Sequence, residues 1–328
     1  MKKQHAFGLF LLAFSGFSFM VNATVLRVNS APGSATPYTS VQAAHDAASN
    51  DDTLYVESSS ISYGTLTCTK KLTIIGTGYF LAQNPQTQAS PSACFIQQLY
   101  FNAGSQGSKI TGVYLNTIIL ATNDILITRC YIYGNNAIYV NTSNPIGNIV
   151  ITQNFIDAGY TYHTAINFSY PANNVLISNN YIRGYLSTGT NFFGIITNNV
   201  VDGVFSAYNA VLKNNIMLNG SFNNYNCIYF NNIGHNQDFG TQNGNQSNVN
   251  MSTVFLGSSG NSSDGQWQLK TGSPAIGAGE GGVDCGMFGG SLPYILSGMP
   301  NIPAIYYMNA PSIPSNTINV SIKAKSHN

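Results

Sequence analysis

The sequence predicts an all-β protein folded as a parallel β-helix, a solenoid whose short coils stack on one another. The first observation behind this prediction is a repeated segment of eight residues, with five copies that align without gaps: ILITRCYI from Ile125, IVITQNFI from Ile149, VLISNNYI from Val175, GIITNNVV from Gly194 and AVLKNNIM from Ala210. Successive copies start 16 to 26 residues apart, which is too close for a strand–helix–strand crossover of about 30 residues and suits one solenoid coil. Hairpin turn sequences are missing between most copies, which argues against an antiparallel sandwich.

The polarity of this chain comes from asparagine rather than from charge. Only 7% of the 328 residues are charged, whereas 41 are asparagine; a typical soluble domain is about 25% charged. Without clustered Lys and Arg, the chain has little with which to neutralise phosphates, so nucleic-acid binding and a basic membrane-surface role are disfavoured. A hydrophobic content of 44% is enough to bury a core, which argues against charge-driven disorder.

Stacking predicts a role for each column of the alignment, because equivalent residues of neighbouring coils lie about 4.8 Å apart. The core columns are expected to contain Ile125, Ile149 and Val175, then Ile127, Ile151 and Ile177, then Ile132, Ile156, Ile182 and Val201. The sixth column is expected to be a structural ladder of hydrogen-bonded amides, made by Asn154, Asn180, Asn199, Asn215 and Asn232. An apolar column that should point outward and need cover contains Leu126, Val150, Leu176, Ile195 and Val211.

The N-terminal sequence predicts a targeting segment, followed by a segment that caps the first coil of the β-helix. Residues 1–23 have the pattern of a cleaved secretory signal peptide, with two basic residues, an apolar run and the small-residue pattern Val21-Asn22-Ala23. The mature chain is expected to start near Thr24. Residues 24–60 are predicted to cap the first coil with a helix over 41–48, for which Ser40 is the N-cap, and a strand over 53–57.

The remainder divides into two predicted regions. Residues 61–290 should form the parallel β-helix, and residues 291–328 a proline-rich tail. The alternation of apolar and polar residues over 318–324 predicts that the tail ends in one half-buried strand. No stretch after the signal segment has the roughly 18 uninterrupted apolar residues of a membrane-spanning helix.

Two stretches carry a resemblance to a known family. PYTSVQAAHDAASNDDTLYVE, residues 37–57, is similar to the N-terminal cap of right-handed parallel β-helix proteins of the pectin-lyase-like type. LKTGSPAIGAGEGGVDCGMFGG, residues 269–290, resembles the motif that closes the last coil of secreted bacterial β-helix proteins. The resemblance implies a right-handed coil and export. It says little about chemistry, because the family includes pectate lyases, polygalacturonase-type hydrolases, alginate epimerases and surface proteins. This chain has Ser58-Ser59-Ser60 where many relatives have Pro-Gly.

One column holds ionisable residues on successive coils, just before the turn glycines: Asp157, Arg183 and Asp202, with Tyr133 before them and Leu218 after them. The two aspartates should lie about 9–10 Å apart at their backbones, which is compatible with the acid and base of an inverting glycosidase. In a polysaccharide lyase, Arg183 would be the base. The alternative is a screened ladder of ion pairs beside turns.

Aromatic residues supply the second set of candidates. Tyr131, Phe155 and Tyr181 share one column, and Tyr133 and His163 lie in or near the turns. Such rings could stack on a sugar, and equally could form a ladder that stabilises the coils.

Cysteine and metal patterns are uninformative. Five cysteines without a CxxC spacing indicate buried thiols, although a Cys68–Cys94 disulfide is conceivable. No spacing predicts a metal site or a cofactor; calcium would enter only with lyase chemistry.

The leading hypothesis is an exported extracellular or cell-surface module that binds or presents to polysaccharide without catalysis. One alternative is a polysaccharide lyase or inverting glycoside hydrolase that uses Asp157, Arg183 and Asp202. Another is a structural or adhesive protein whose C-terminal tail binds a protein partner.

Overall fold

A parallel β-solenoid of about nine turns forms the body of the protein, as the repeat pattern predicts. The computed structural model describes residues 23–310 and 319–327, and the described residues contain one α-helix, Val41–Ala47. The predicted signal peptide, apart from Ala23, lies outside the described residues.

The coils present three faces. Face A is one parallel sheet of ten strands: Val25–Val28, Thr53–Val56, Thr73–Ile75, Lys109–Thr111, Ile125–Thr128, Ile146–Thr152, Ala172–Ser178, Phe192–Thr197, Ala210–Lys213 and Ile228–Phe230. A second parallel sheet begins with Thr65–Cys68, Phe95–Phe101 and Tyr114–Leu120 and then divides. One branch, face B, contains Tyr131–Tyr133, Phe155–Asp157, Tyr181–Arg183, Val200–Asp202, Ile216–Asn219 and Ile233–Gly234. The other, face C, contains Ile138–Val140, Thr164–Phe168, Tyr185–Thr188, Phe205–Tyr208 and Phe222–Tyr225.

The strand register follows the sequence alignment over most of its length. Ile149 pairs with Ile125 on one side and Val175 on the other, and the predicted core columns are buried. One position of the alignment is wrong. A bulge after Val201 makes Asn219, not Leu218, the partner of Asp202, because the strand Ile216–Asn219 carries one extra residue.

The corner between faces A and B is built from two adjacent residues in each coil. The first residue has a positive φ between 52° and 58° in Arg129, Gln153, Asn179, Asn198, Asn214 and Asn231. Asparagine is the residue other than glycine that best tolerates this left-handed conformation, which explains most of the asparagine pairs.

From Asn154 onward, the second residue of each corner is a fully buried asparagine whose amide bonds along the stack, whereas Cys130 stands at this position in the corner of Arg129. Asn180, for example, accepts hydrogen bonds on Oδ1 from the backbone N and Nδ2 of Asn154, at 2.9 and 3.0 Å. Its Nδ2 donates to the carbonyl of Ile151 and to Oδ1 of Asn199. The same pattern continues through Asn215 and Asn232, and ends on a further rung, Asn245, which the alignment did not include.

The glycine-rich stretch near residue 280 does not close a last coil, so that expectation is wrong. The last parallel strand is Ile233–Gly234, and residues 278–299 instead run back along the outside of the corner between faces A and B. We call this segment the return strip. The corner residues bond it in reverse order: Asn231 to the carbonyl of Ala278, Asn214 to the backbone N of Glu280, Asn198 to the carbonyl of Asp284, Asn179 to those of Met287 and Gly289, Gln153 to that of Pro293 and Arg129 to that of Met299.

The return strip also covers part of the apolar column on face A. Leu292 lines grooves together with Leu126, Val150 and Leu176. Ile195 of the same column is 43% exposed. The cover that the sequence requires therefore comes in part from the start of the proline-rich region.

Apolar side chains from beyond both ends of the solenoid join its core. Val41 and Ala44 of the helix are buried within it, and the predicted N-cap Ser40 accepts a hydrogen bond from the backbone N of Ala43. Beyond the last coil, Phe239 is buried against the rings of Phe222 and Tyr229.

The terminal strand differs from its prediction. Ser321–Lys325 pairs antiparallel with a second strand, Ala304–Asn309, within the proline-rich tail for which only one strand was predicted. The side chains of Ser321–Lys325 are exposed rather than half-buried, with Ile322 at 56%.

All five cysteines are free, including Cys68 and Cys94, and four of them are buried. Burial raises the pKa of the Cys130 and Cys285 thiols to about 12.

We expect Asn180→Ala to lower the free energy of unfolding by about 3 kcal/mol or more. It deprives Asn154, Ile151 and Asn199 of buried hydrogen-bond partners, and each such group costs about 1–3 kcal/mol. Equilibrium denaturation by urea measures the loss. Asn144→Ala, at an exposed loop position, is the matched control, and equal stability of the two variants would contradict a ladder that supports the fold.

Candidate functional site

Three ionisable residues form a row across adjacent strands of face B. Asp157 pairs with Arg183, and Arg183 pairs with Asp202, each at the last residue of its strand. Because the strands are parallel and in register, these side chains project from the same edge of the face. The row is therefore a direct consequence of the repeat.

The guanidinium of Arg183 lies between the two carboxylates. Its Nη1 is 3.5 Å from Oδ2 of Asp157, and its Nε is 3.9 Å from Oδ2 of Asp202. These are ion-pair distances rather than close hydrogen bonds, and the Arg183 side chain is 37% exposed. Asp157 also accepts a hydrogen bond on Oδ1 from the backbone N of Gly159, at 2.8 Å.

The two carboxylates have different surroundings. Burial raises the pKa of Asp202; Arg183 and the hydroxyl of Tyr181 oppose this rise, and the charge of Asp157 adds to it. Asp202 is thus the member of the row that holds its proton more tightly than an ordinary aspartate.

An aromatic column runs beside this row, two residues earlier in each strand. Tyr114 stacks on Tyr131 with ring centroids 4.8 Å apart, and Phe155 stacks on Tyr181 at 4.5 Å. Trp267, from outside the solenoid, stacks on Tyr181 at 4.7 Å and extends the column. Tyr181 and Phe155 are almost completely buried, so much of this surface stabilises the coils, as one of the two sequence interpretations expected.

The row and the aromatic column meet in one open cavity of about 330 Å³. Its lining combines Asp157, Arg183, Asp202, Tyr131, Phe155 and Tyr181 with four residues from elsewhere in the chain: Phe80, Ser263, Gln266 and Trp267. The structure therefore brings together six of the eight residues that the sequence nominated for catalysis or substrate binding.

The other two nominated residues do not line the cavity. Tyr133 pairs with Asp157 and is 44% exposed. His163 bonds through Nδ1 to the carbonyl of Ala158 and contacts the rings of Tyr160 and Tyr162 at about 5 Å. These exposed rings form a separate surface cluster.

The wall that sequence analysis missed is held by a buried carboxylate. Asp264 is completely buried and accepts four hydrogen bonds, from the side chains of Asn84, Ser262 and Tyr294 and from the backbone N of Ser297. This network ties the segment of Trp267 to the loop after Phe80. The sequence held one usable signal, since Trp267 is its only tryptophan.

A second cavity of about 620 Å³ adjoins the first. The two share Asp202, Gln266 and Trp267, and the second adds Phe255, Leu256 and Lys270. The two cavities are therefore neighbours beside face B.

Within residues 23–310 and 319–327, no cluster of three His, Cys, Asp or Glu side chains could hold a metal ion. In the same ranges no helix has the length and apolar character needed to cross a membrane. No family model matches the chain, and neither the curated proteins nor the solved structures contain a significant match.

We expect Asp202→Asn to raise the free energy of unfolding at pH 7. A folded-state pKa above the unfolded value means that stability is greatest with the proton bound and is lost as the pH rises through the folded pKa. The ionised carboxylate therefore costs stability at neutral pH, and the amide avoids that cost.

Denaturation of both proteins between pH 3 and pH 8 tests this expectation. The advantage of the variant should shrink on acidification towards the ordinary aspartate pKa of about 3.9. Asp124→Asn, at an exposed position just before the face A strand Ile125–Thr128, controls for the loss of one negative charge. A variant less stable than the parent protein at pH 7 would contradict the expectation.

Proposed function

We propose that the protein binds a saccharide in the face B cavity and acts there without catalysis. The observation that carries this proposal is the lining itself. Aromatic rings that can stack on a sugar lie beside a carboxylate–guanidinium–carboxylate row that can bond its hydroxyls. A volume of about 330 Å³ lies at the small end of the range of about 300–1,000 Å³ for ligand pockets.

The charge of the cavity favours a neutral or amine-bearing saccharide over a uronate. Two carboxylates and one guanidinium leave one net negative charge on its lining. A uronate could reach Arg183 only by approaching Asp157 and Asp202, each already within 4 Å of the same guanidinium. Like charges at that range repel in a partly desolvated site.

The preference for binding over catalysis rests on Arg183. As the base of a lyase its guanidinium would have to approach the ring proton of a uronate, yet it lies between two carboxylates, 3.5 Å from Asp157 and 3.9 Å from Asp202. Calcium, which lyase chemistry implies, does not fit this donor set. It takes six to eight oxygen ligands, and here a cationic side chain stands between the only two carboxylates of the lining.

One observation favours the hydrolase alternative. Asp202 has a raised pKa, as a general acid requires, and shares the cavity with Asp157, a second carboxylate of the kind that serves as base. This alternative remains the second candidate function.

Our proposal extends to the location and finer class of the protein. We infer that it is exported and acts outside the cell or at its surface. The signal-like residues 1–23 support this inference. We further propose a right-handed coil that the helix Val41–Ala47 caps, as in pectin-lyase-like proteins, supported by the two resembling sequence stretches. A protein partner of the tail would bind at the exposed antiparallel pair of strands, Ala304–Asn309 and Ser321–Lys325.

We expect Tyr131→Ala to weaken saccharide affinity by up to about tenfold. Loss of one aromatic contact costs about 0.5–1.5 kcal/mol. Titration calorimetry with cellohexaose, a chitosan hexamer, its N-acetylated form and oligogalacturonate measures this loss and ranks the ligand classes.

The matched control for Tyr131 is Tyr225→Ala, an exposed tyrosine on face C that stacks on Tyr208. Absence of binding to a broader glycan array would overturn the proposal. Tightest binding of oligogalacturonate would retain saccharide binding and overturn the charge argument.

We expect no new reducing ends and no unsaturated products when the protein is incubated with the same glycans, with or without calcium. The reason is that Arg183 stands at ion-pair distance between the two carboxylates that a hydrolase would need, and is itself the group that a lyase would need as base. Product formation that Asp157→Asn and Asp202→Asn both abolish, and Asp124→Asn does not, would establish the hydrolase alternative instead.

A further inference from the structure

The first strand of the solenoid begins at Val25, two residues after Ala23, which ends the predicted signal-peptide cleavage pattern. Val25–Val28 pairs with Thr53–Val56, with Val25 opposite Thr53. The residue between the pattern and the strand is Thr24, which is exposed. A chain cut after Ala23 would therefore start at the edge of the first coil.

The backbone nitrogen of Thr24 already contacts a buried carboxylate. It lies 2.7 Å from Oδ1 of Asp52, whose other oxygen accepts a hydrogen bond from the backbone N of Ser49, also at 2.7 Å. Asp52 is only 4% exposed. The hydrogen bond from Thr24 is the largest cause of the lowered pKa of Asp52, followed by that from Ser49.

No side-chain cation pairs with Asp52 in the part of the chain that the structure describes. Lys70 acts on it only weakly, because its ammonium donates to three carbonyls at the end of the helix. Asp51 pairs with Lys71, and His45 accepts from the backbone of Thr69. A buried carboxylate is normally paired with a cation, because burial without one is costly.

We propose that Asp52 is the receptor for the α-ammonium group of Thr24 in the processed protein. A signal-cleaving protease would hydrolyse the Ala23–Thr24 peptide bond. This step consumes one water molecule and leaves a carboxylate on Ala23 and an amine on Thr24. That amine takes up a proton at neutral pH, since α-amino groups titrate near 8. Cleavage thus converts an amide hydrogen bond into a partly buried ion pair, which stabilises the first coil only after processing.

Two chains that differ by one residue test this proposal. One starts at Thr24, and the other retains Ala23, which moves the amine one residue away from Asp52. Urea denaturation of both is followed from pH 6 to pH 10, and mass spectrometry identifies the N-terminus of the exported protein.

We expect the Thr24 chain to have an equilibrium constant for folding about tenfold larger at pH 6, equivalent to an amine pKa raised by about one unit. A raised folded pKa means that this advantage is full below the unfolded pKa near 8 and is lost as the pH rises through the folded pKa. Asp52→Asn in the Thr24 chain should remove the advantage, whereas Asp51→Asn, the neighbouring carboxylate, should retain it.

Equal pH profiles of the Thr24 and Ala23 chains would overturn the proposal, as would a mature N-terminus other than Thr24. Neither result bears on saccharide binding, because the Thr24–Asp52 contact does not involve the residues that line the face B cavity.

Discussion

The rest of the structure depends on the hydrogen bonds of the buried asparagine ladder. A solenoid coil must turn its backbone sharply between faces A and B, and at that corner the peptide groups leave the regular pattern of the sheets. Each ladder amide bonds both to the backbone at the corner and to the next amide, as Asn199 does with the carbonyl of Ile177 and with Asn215. A charged side chain could not replace it, since stacking would place like charges about 4.8 Å apart in the interior.

The corner also connects the fold to the candidate site. Its left-handed residues direct their side chains to the return strip, and the strip bonds to them over most of its length, from Asn231 at one end to Arg129 at the other. The strip carries Tyr294 and Ser297, which hold Asp264 and hence the segment of Trp267. The wall of the cavity is therefore positioned by the same asparagine pairs that shape the coils. A substitution at the corner should therefore also alter the position of that wall.

The features that the sequence predicted are those that repeat. The core columns, the strand register and the Asp157–Arg183–Asp202 row follow from aligning segments fewer than 30 residues apart. The missed features lack any repeat: the bulge that brings Asn219 opposite Asp202, the reversal of the chain after Gly234, and the contact of Trp267 with Tyr181, 86 residues away in sequence. The glycine-rich stretch was misassigned for the same reason, because glycines signal turns without showing what lies across them.

The scarcity of charged residues in this chain makes the three charged residues of the candidate site prominent. Only 7% of the residues in this chain are charged, so Asp157, Arg183 and Asp202 dominate the electrostatic field of the cavity. Their order, with the cation between the two carboxylates, limits which ligand groups that field can attract. The central guanidinium lies between both carboxylates, and the second oxygen of Asp157 already accepts a hydrogen bond from the backbone N of Gly159. In the function that we propose, such a row would favour hydroxyl and amine groups over carboxylates. For lyase chemistry it is poorly suited, because the group that would act as base is held between two carboxylates.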